Sequence, residues 1–123
     1  MENMLVIDNK SDGLIRVSPN EIMYIKSDGN YCLVRLYGRD KSIQIWESLK
    51  NIEGLIKEQM RAERPCLVRT GKQYILNIDY ISNINTSKDT LSLWRKEMVE
   101  PIIIKELSHK ALVNLSNALQ IKE

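Results

Sequence analysis

Residues able to do chemistry are few and scattered in this chain. There is a single histidine, His109, and two cysteines, Cys32 and Cys66, which lie 34 positions apart. No close-spaced Cys or His pair exists to hold a metal. No Gly-x-Ser-x-Gly string occurs, and one His with two dispersed Cys does not compose a nucleophilic triad. Gly13, Gly29, Gly38, Gly54 and Gly71 are spread along the chain and form no phosphate-cradling loop. The expectation is a protein that is not an enzyme and takes no metal and no cofactor, with its cysteines as free buried thiols. The one concentration of charge runs from Arg61 to Lys72. It holds Arg61, Arg64, Arg69 and Lys72 against Glu63, a balance of +3 over twelve positions. Such a run is either a solvated face or an anion-binding one. The net charge of +2 neither demands nor forbids a nucleic-acid partner.

Short strand-like runs dominate the segments that would carry these residues. Met4–Ile7 and Leu14–Val17 flank a turn at Asn9–Gly13. Ser18-Pro-Asn-Glu21 reads as a helical turn, with Ser18 as cap and Pro19 in first position. Ile22–Lys26 and Tyr31–Tyr37 bracket Asp28-Gly-Asn30, a hairpin signal. Lys41–Ile45 alternates with period two. The period then changes: Trp46, Leu49, Ile52, Leu55, Ile56 and Met60 recur at spacings of three and four, which predicts an amphipathic helix of about four turns. Strand patterns resume at Cys66–Arg69, Tyr74–Leu76, Ile81–Ile84, Thr90–Trp94 and Met98–Ile104. Pro101 removes a backbone donor and sends the last of these to an edge or a bend. A C-terminal helix capped by Ser108 carries Leu107, Ala111, Leu115, Ala118 and Leu119.

The expected fold is therefore mostly β: small antiparallel sheets, one central amphipathic helix and one C-terminal helix. At 123 residues the chain is one domain's worth, able to bury about two-thirds of its unfolded surface without disulfides or metals. Residues 1–13 read as an N-terminal extension containing a strand pattern, 14–119 as the domain and 120–123 as a tail. No apolar run reaches the ~18 residues of a membrane span, and Met1–Lys10 lacks the pattern of a signal peptide. A cytoplasmic location is the expectation.

Five strings, in order, resemble the LytTR family of bacterial DNA-binding domains. They are Glu21-Ile-Met-Tyr-Ile-Lys-Ser-Asp-Gly-Asn-Tyr31, Leu49-Lys-Asn-Ile-Glu-Gly-Leu55, Val68-Arg-Thr-Gly-Lys-Gln-Tyr-Ile-Leu-Asn77, Ile78-Asp-Tyr-Ile-Ser-Asn-Ile84 and Glu100-Pro-Ile-Ile-Ile104. The resemblance spans residues 14–119. It implies sequence-specific binding to double-stranded DNA by loops entering successive major grooves, in the service of transcriptional regulation. It implies direct-repeat targets, with two copies of the chain, a homodimer, on one DNA. It also implies an upstream sensor, whose identity the chain does not disclose, and no membrane partner.

Transferred position by position, the resemblance selects Asn30, Arg69, Lys72, Gln73 and Lys105. Asn30 stands at the family's groove-facing position, and an Asn side chain can pair bidentately with adenine; an Asn in a positive-φ turn is the structural alternative. Where the family has Arg-x-His-Arg-Ser, this chain has Arg69, Gly71 for the His, Lys72 keeping the charge and Gln73 for the Ser. Where the family has Pro-Val-Ser-Arg before the last helix, this chain has Pro101-Ile-Ile-Ile104. That leaves Lys105 as the nearest cation for the phosphate contact. Ile103 and Ile104 would pack inward or form an exposed apolar patch. Asn77 matches the family and reads as a structural hydrogen-bonding residue. The alternative function is a protein-interaction module on the same fold with weakened DNA contacts. A further option is RNA binding, with Tyr31, Tyr37 and Tyr74 stacking on bases.

Overall fold

The computed structural model describes residues 4–60 and 65–120. The chain divides into two compact units, residues 1–78 and 79–123.

The first unit is built on a five-stranded antiparallel sheet of order β5-β4-β3-β7-β6. Its strands are β3 (Ile22–Asp28), β4 (Tyr31–Leu36), β5 (Ile43–Ile45), β6 (Leu67–Thr70) and β7 (Tyr74–Asn77). A separate hairpin pairs β1 (Leu5–Asp8) with β2 (Leu14–Val17). Alternation places Cys32, Val34 and Leu36 of β4 inside, where they meet Leu49, Ile52 and Ile56 of helix α1 (Leu49–Gln59) in one apolar cluster. Burial pushes the Cys32 thiol up to about 11, so it remains a neutral core group at ordinary pH. Cys66 is also a free thiol but only half-buried.

Two side-chain amides dock the β1–β2 hairpin. Gln59 accepts from the Val6 N–H and donates to the Val6 carbonyl, both at 2.8 Å. Asn9, buried, donates to the Gln44 carbonyl at 2.9 Å and accepts from the Trp46 N–H at 3.0 Å. These bonds satisfy backbone groups that a loose hairpin would leave unpaired.

The helix is shorter than the apolar spacing predicts. Trp46 lies outside it, because Asn9 holds its N–H and the extended Ser48 (φ −74°, ψ 155°) caps the helix by accepting from the Asn51 N–H at 3.1 Å. At the predicted cap Ser18, the helical turn forms as a 3-10 turn over Pro19–Glu21, but the hydroxyl makes no capping bond. Asn77 has the structural role expected of it. It is fully buried and donates to the carbonyls of Ile22 (2.9 Å) and Pro19 (3.3 Å).

The second unit is a three-stranded antiparallel sheet of order β10-β9-β8: β8 (Ile81–Asn85), β9 (Thr90–Leu93) and β10 (Ile102–Ile104). Helix α2 (His109–Leu119) packs on β8 and is capped by the Ser108 hydroxyl, 3.1 Å from the Ala111 N–H. Tyr80, Leu91, Leu93, Ile104, Leu107, Leu112 and Leu115 are buried. The strand expected over Met98–Ile104 forms only after Pro101, and it lies at the sheet edge, where a missing donor costs least. The fold is the mostly-β, two-helix architecture that the residue pattern predicts.

Candidate nucleic-acid interface

Antiparallel pairing brings two of the polar turns to one end of the large sheet. Lys26 of β3 faces Tyr74 of β7. The end of β3 that leads into Gly29-Asn30 is therefore the end of β7 that emerges from Gly71-Lys72-Gln73. A direct bond joins them, the Ser27 N–H donating to the Gln73 carbonyl at 2.8 Å. The β3–β4 and β6–β7 hairpins sit side by side, so their tips are about 10 Å apart at normal strand spacing. A B-DNA major groove is about 12 Å wide.

In the first turn only Gly29 has positive φ, at 67°, the pattern of a two-residue turn with glycine in its first central position. Asn30 is absent from the positive-φ residues. Positive φ is therefore not what asparagine supplies there, although Gly-Asn is a favoured pair in such a turn, and Asn30 is exposed. Beside it, Tyr31 donates its hydroxyl to the Asp28 carboxylate at 3.3 Å and packs edge-on against Trp46, ring centres 5.2 Å apart. Trp46 is 42% exposed. Register carries it to this end too, since Ile45 pairs with Cys32.

The second turn is organised from within by Arg69. Its Nε donates to the Gly71 carbonyl and its Nη2 to the Lys72 carbonyl, each at 3.1 Å. Its Nη1 reaches the Glu53 carboxylate on α1, again at 3.1 Å. With Ser27 on Gln73, the carbonyls of all three turn residues accept from the protein's own donors. The Lys72 and Gln73 side chains are exposed, and among the described residues neither has a hydrogen-bonding or ionic partner. The fork of Arg69 thus shapes the turn, and Lys72 carries its outward charge.

Lys105 belongs to the second unit. It follows β10 directly and is exposed, its N–H bonded to the Glu106 carboxylate at 3.2 Å. Of the isoleucines before it, Ile104 is buried and Ile103 is 53% exposed, as strand alternation requires. Arg61 and Arg64 of the basic run lie outside the described residues. His109, at the start of α2, is exposed and pairs with Asp89 at 2.7 Å. Among the described residues no helix is long and apolar enough to cross a membrane.

Two residues at this end carry no signal in the sequence. Trp46 sits in phase with the apolar face of a helix, and Glu53 resembles any solvated helix residue. Only the pairing of Cys32 with Ile45, and the packing of α1 beside β6, expose them.

The model of the LytTr DNA-binding domain matches residues 12–116. This chain belongs to the LytTR family of DNA-binding domains. A solved LytTr DNA-binding domain, from a methyl-accepting/DNA response regulator of Bacillus cereus, has the same fold. It superposes with a TM-score of 0.65 over 98% of this chain and 100% of that one, at 17% identity. No curated protein matches the chain. Of the departures from the family strings, Gly71 lies in an exposed turn and Ile103 is exposed, whereas Ile104 is buried in the core of the second unit.

Proposed function

We propose that this LytTR domain binds double-stranded DNA sequence-specifically through its turns and acts as a bacterial transcriptional regulator in the cytoplasm. The observation that carries the proposal is the pair of outward-facing polar turns, Gly29-Asn30 and Gly71–Gln73, on neighbouring hairpins at one end of a rigid sheet. Asn30 would read base edges from the major groove, its amide offering both a donor and an acceptor. Lys72 and Gln73 would fix the register on phosphate and base, with Arg69 holding the turn. Lys105 would supply a further phosphate contact from the second unit. Asp28 at the first tip carries an opposing charge, so attraction to the duplex falls chiefly to Lys72. Direct repeats occupied by two copies of the chain fit the family's habit, and a sensor upstream would govern occupancy.

Selection of bound duplexes from a random library tests this. A recurring sequence is the expected result, with affinity that falls steeply as salt rises. Recovery of no sequence, and no binding at low salt, would refute it. That outcome would favour the second reading, a protein-interaction module, which the exposure of Trp94 (43%), Val99 (97%) and Ile103 (53%) in the second unit supports.

A further inference from the structure

We infer that Glu53, on helix α1, is a positioning residue for DNA binding. Its carboxylate fixes the Arg69 guanidinium, and the guanidinium holds the 71–73 turn in the shape that presents Lys72 and Gln73. The inference rests on the reading of that turn as a DNA contact.

The geometry is a relay of three links. Ser48 caps α1, and Leu49, Ile52 and Ile56 bury one face of it, so Glu53 leaves the helix at a fixed height beside β6. One carboxylate oxygen takes Arg69 Nη1 at 3.1 Å, and the other lies 3.7 Å from Lys57 Nζ. The guanidinium is planar, so anchoring Nη1 sets the direction of Nε and Nη2 as well. Those two nitrogens meet the carbonyls of Gly71 and Lys72. The far end of the turn is pinned separately, by Ser27 on Gln73. Gly71 has φ 66°, a conformation that glycine enters and leaves easily, so the Gly71–Lys72 half is the half that needs an external hold. The side chains of Arg69 and Glu53 are 30% and 27% exposed, a partly shielded pair that water and salt weaken less than a surface one. The same pairing neutralises Arg69 at this site. The guanidinium is thereby kept at work on the turn instead of reaching for phosphate.

The test uses the full chain, a library-selected duplex and a scrambled duplex. Affinity is followed by fluorescence anisotropy over a salt series, and folding by thermal melting. Glu53→Ala should weaken binding to the selected duplex by about tenfold and shrink the ratio between the two duplexes. The salt slope should not flatten, because Lys72 remains. Glu53→Gln, which keeps an acceptor but not the charge, should fall between wild type and Glu53→Ala, and it serves in place of Glu53→Ala if that variant fails to fold. A merely structural role would lower the melting temperature and leave the duplex ratio untouched. Unchanged discrimination in both variants overturns the inference. If the wild type bound neither duplex, the DNA reading of the turn would fall. The brace would then be judged on the backbone amide resonances of Gly71 and Lys72. These should shift in Glu53→Gln and Arg69→Lys alike, and their staying in place would overturn it.

Discussion

Replacing Lys72 by alanine removes one cation from an exposed turn and little else. The side chain has no partner among the described residues. The Lys72 carbonyl, held by Arg69 at 3.1 Å, belongs to the backbone and survives the substitution. A surface change of this kind shifts stability by at most about 0.5 kcal/mol, or about 3 °C in melting temperature. The effect on DNA should be larger and of a specific form. Each phosphate neutralised contributes about −0.9 to the slope of log affinity against log salt. Lys72→Ala should therefore flatten that slope by about 0.9. Between 50 and 200 mM salt, the wild type should lose about 3.5-fold more affinity than the variant. The loss should be the same for selected and scrambled duplexes, since a phosphate carries no sequence. Asn30→Ala makes the contrast: slope unchanged, and preference at one or two base pairs reduced by about 1–3 kcal/mol. Anisotropy titrations at four salt concentrations measure both. A Lys72→Ala slope equal to the wild type's, on DNA that the wild type binds, would refute the assignment of the turn to phosphate.

The remaining predictions concern the scaffold. Asn77→Ala takes the amide donor from the Ile22 carbonyl and leaves the Pro19 carbonyl with the Ile22 N–H alone; it should cost about 1–3 kcal/mol and lower the melting temperature by about 8 °C, as calorimetry would show. Gly54 lies mid-helix on the exposed side, with nothing within 4 Å of where a Cβ would stand, so Gly54→Ala should raise stability by about 0.5–1 kcal/mol in a denaturant titration.

The mostly-β architecture was legible because strand alternation and turn residues agree locally, as in Tyr31–Leu36, whose burial alternates strictly. Asn77 was legible as well, since an asparagine between two apolar runs needs partners for its amide. Trp46 misled because its spacing to Leu49 suits a helix. What excludes it is an asparagine 37 residues earlier that holds its N–H, a long-range bond that no local pattern encodes. Arg69 was recognisable as important by its place in the string, and its task was not. An exposed arginine and a braced one have the same neighbours in sequence, and the difference lies in Glu53, 16 residues upstream on another element. The conformation of Asn30 was open for a similar reason: Gly-Asn suits several turns, and strand twist selects the one in which glycine alone carries the positive φ.

The amide of Gln59 has a consequence beyond docking. By bonding both polar groups of Val6, it occupies the outer rim of β1, where an unguarded strand invites a stray chain to add itself. Because the plug is a side chain and not another strand, it stops the ladder there with no new edge to extend. Exchanging it for a residue without a paired donor and acceptor would uncover a template for fibre-like growth on the flank of the molecule, with the 29–30 and 71–73 turns still in place.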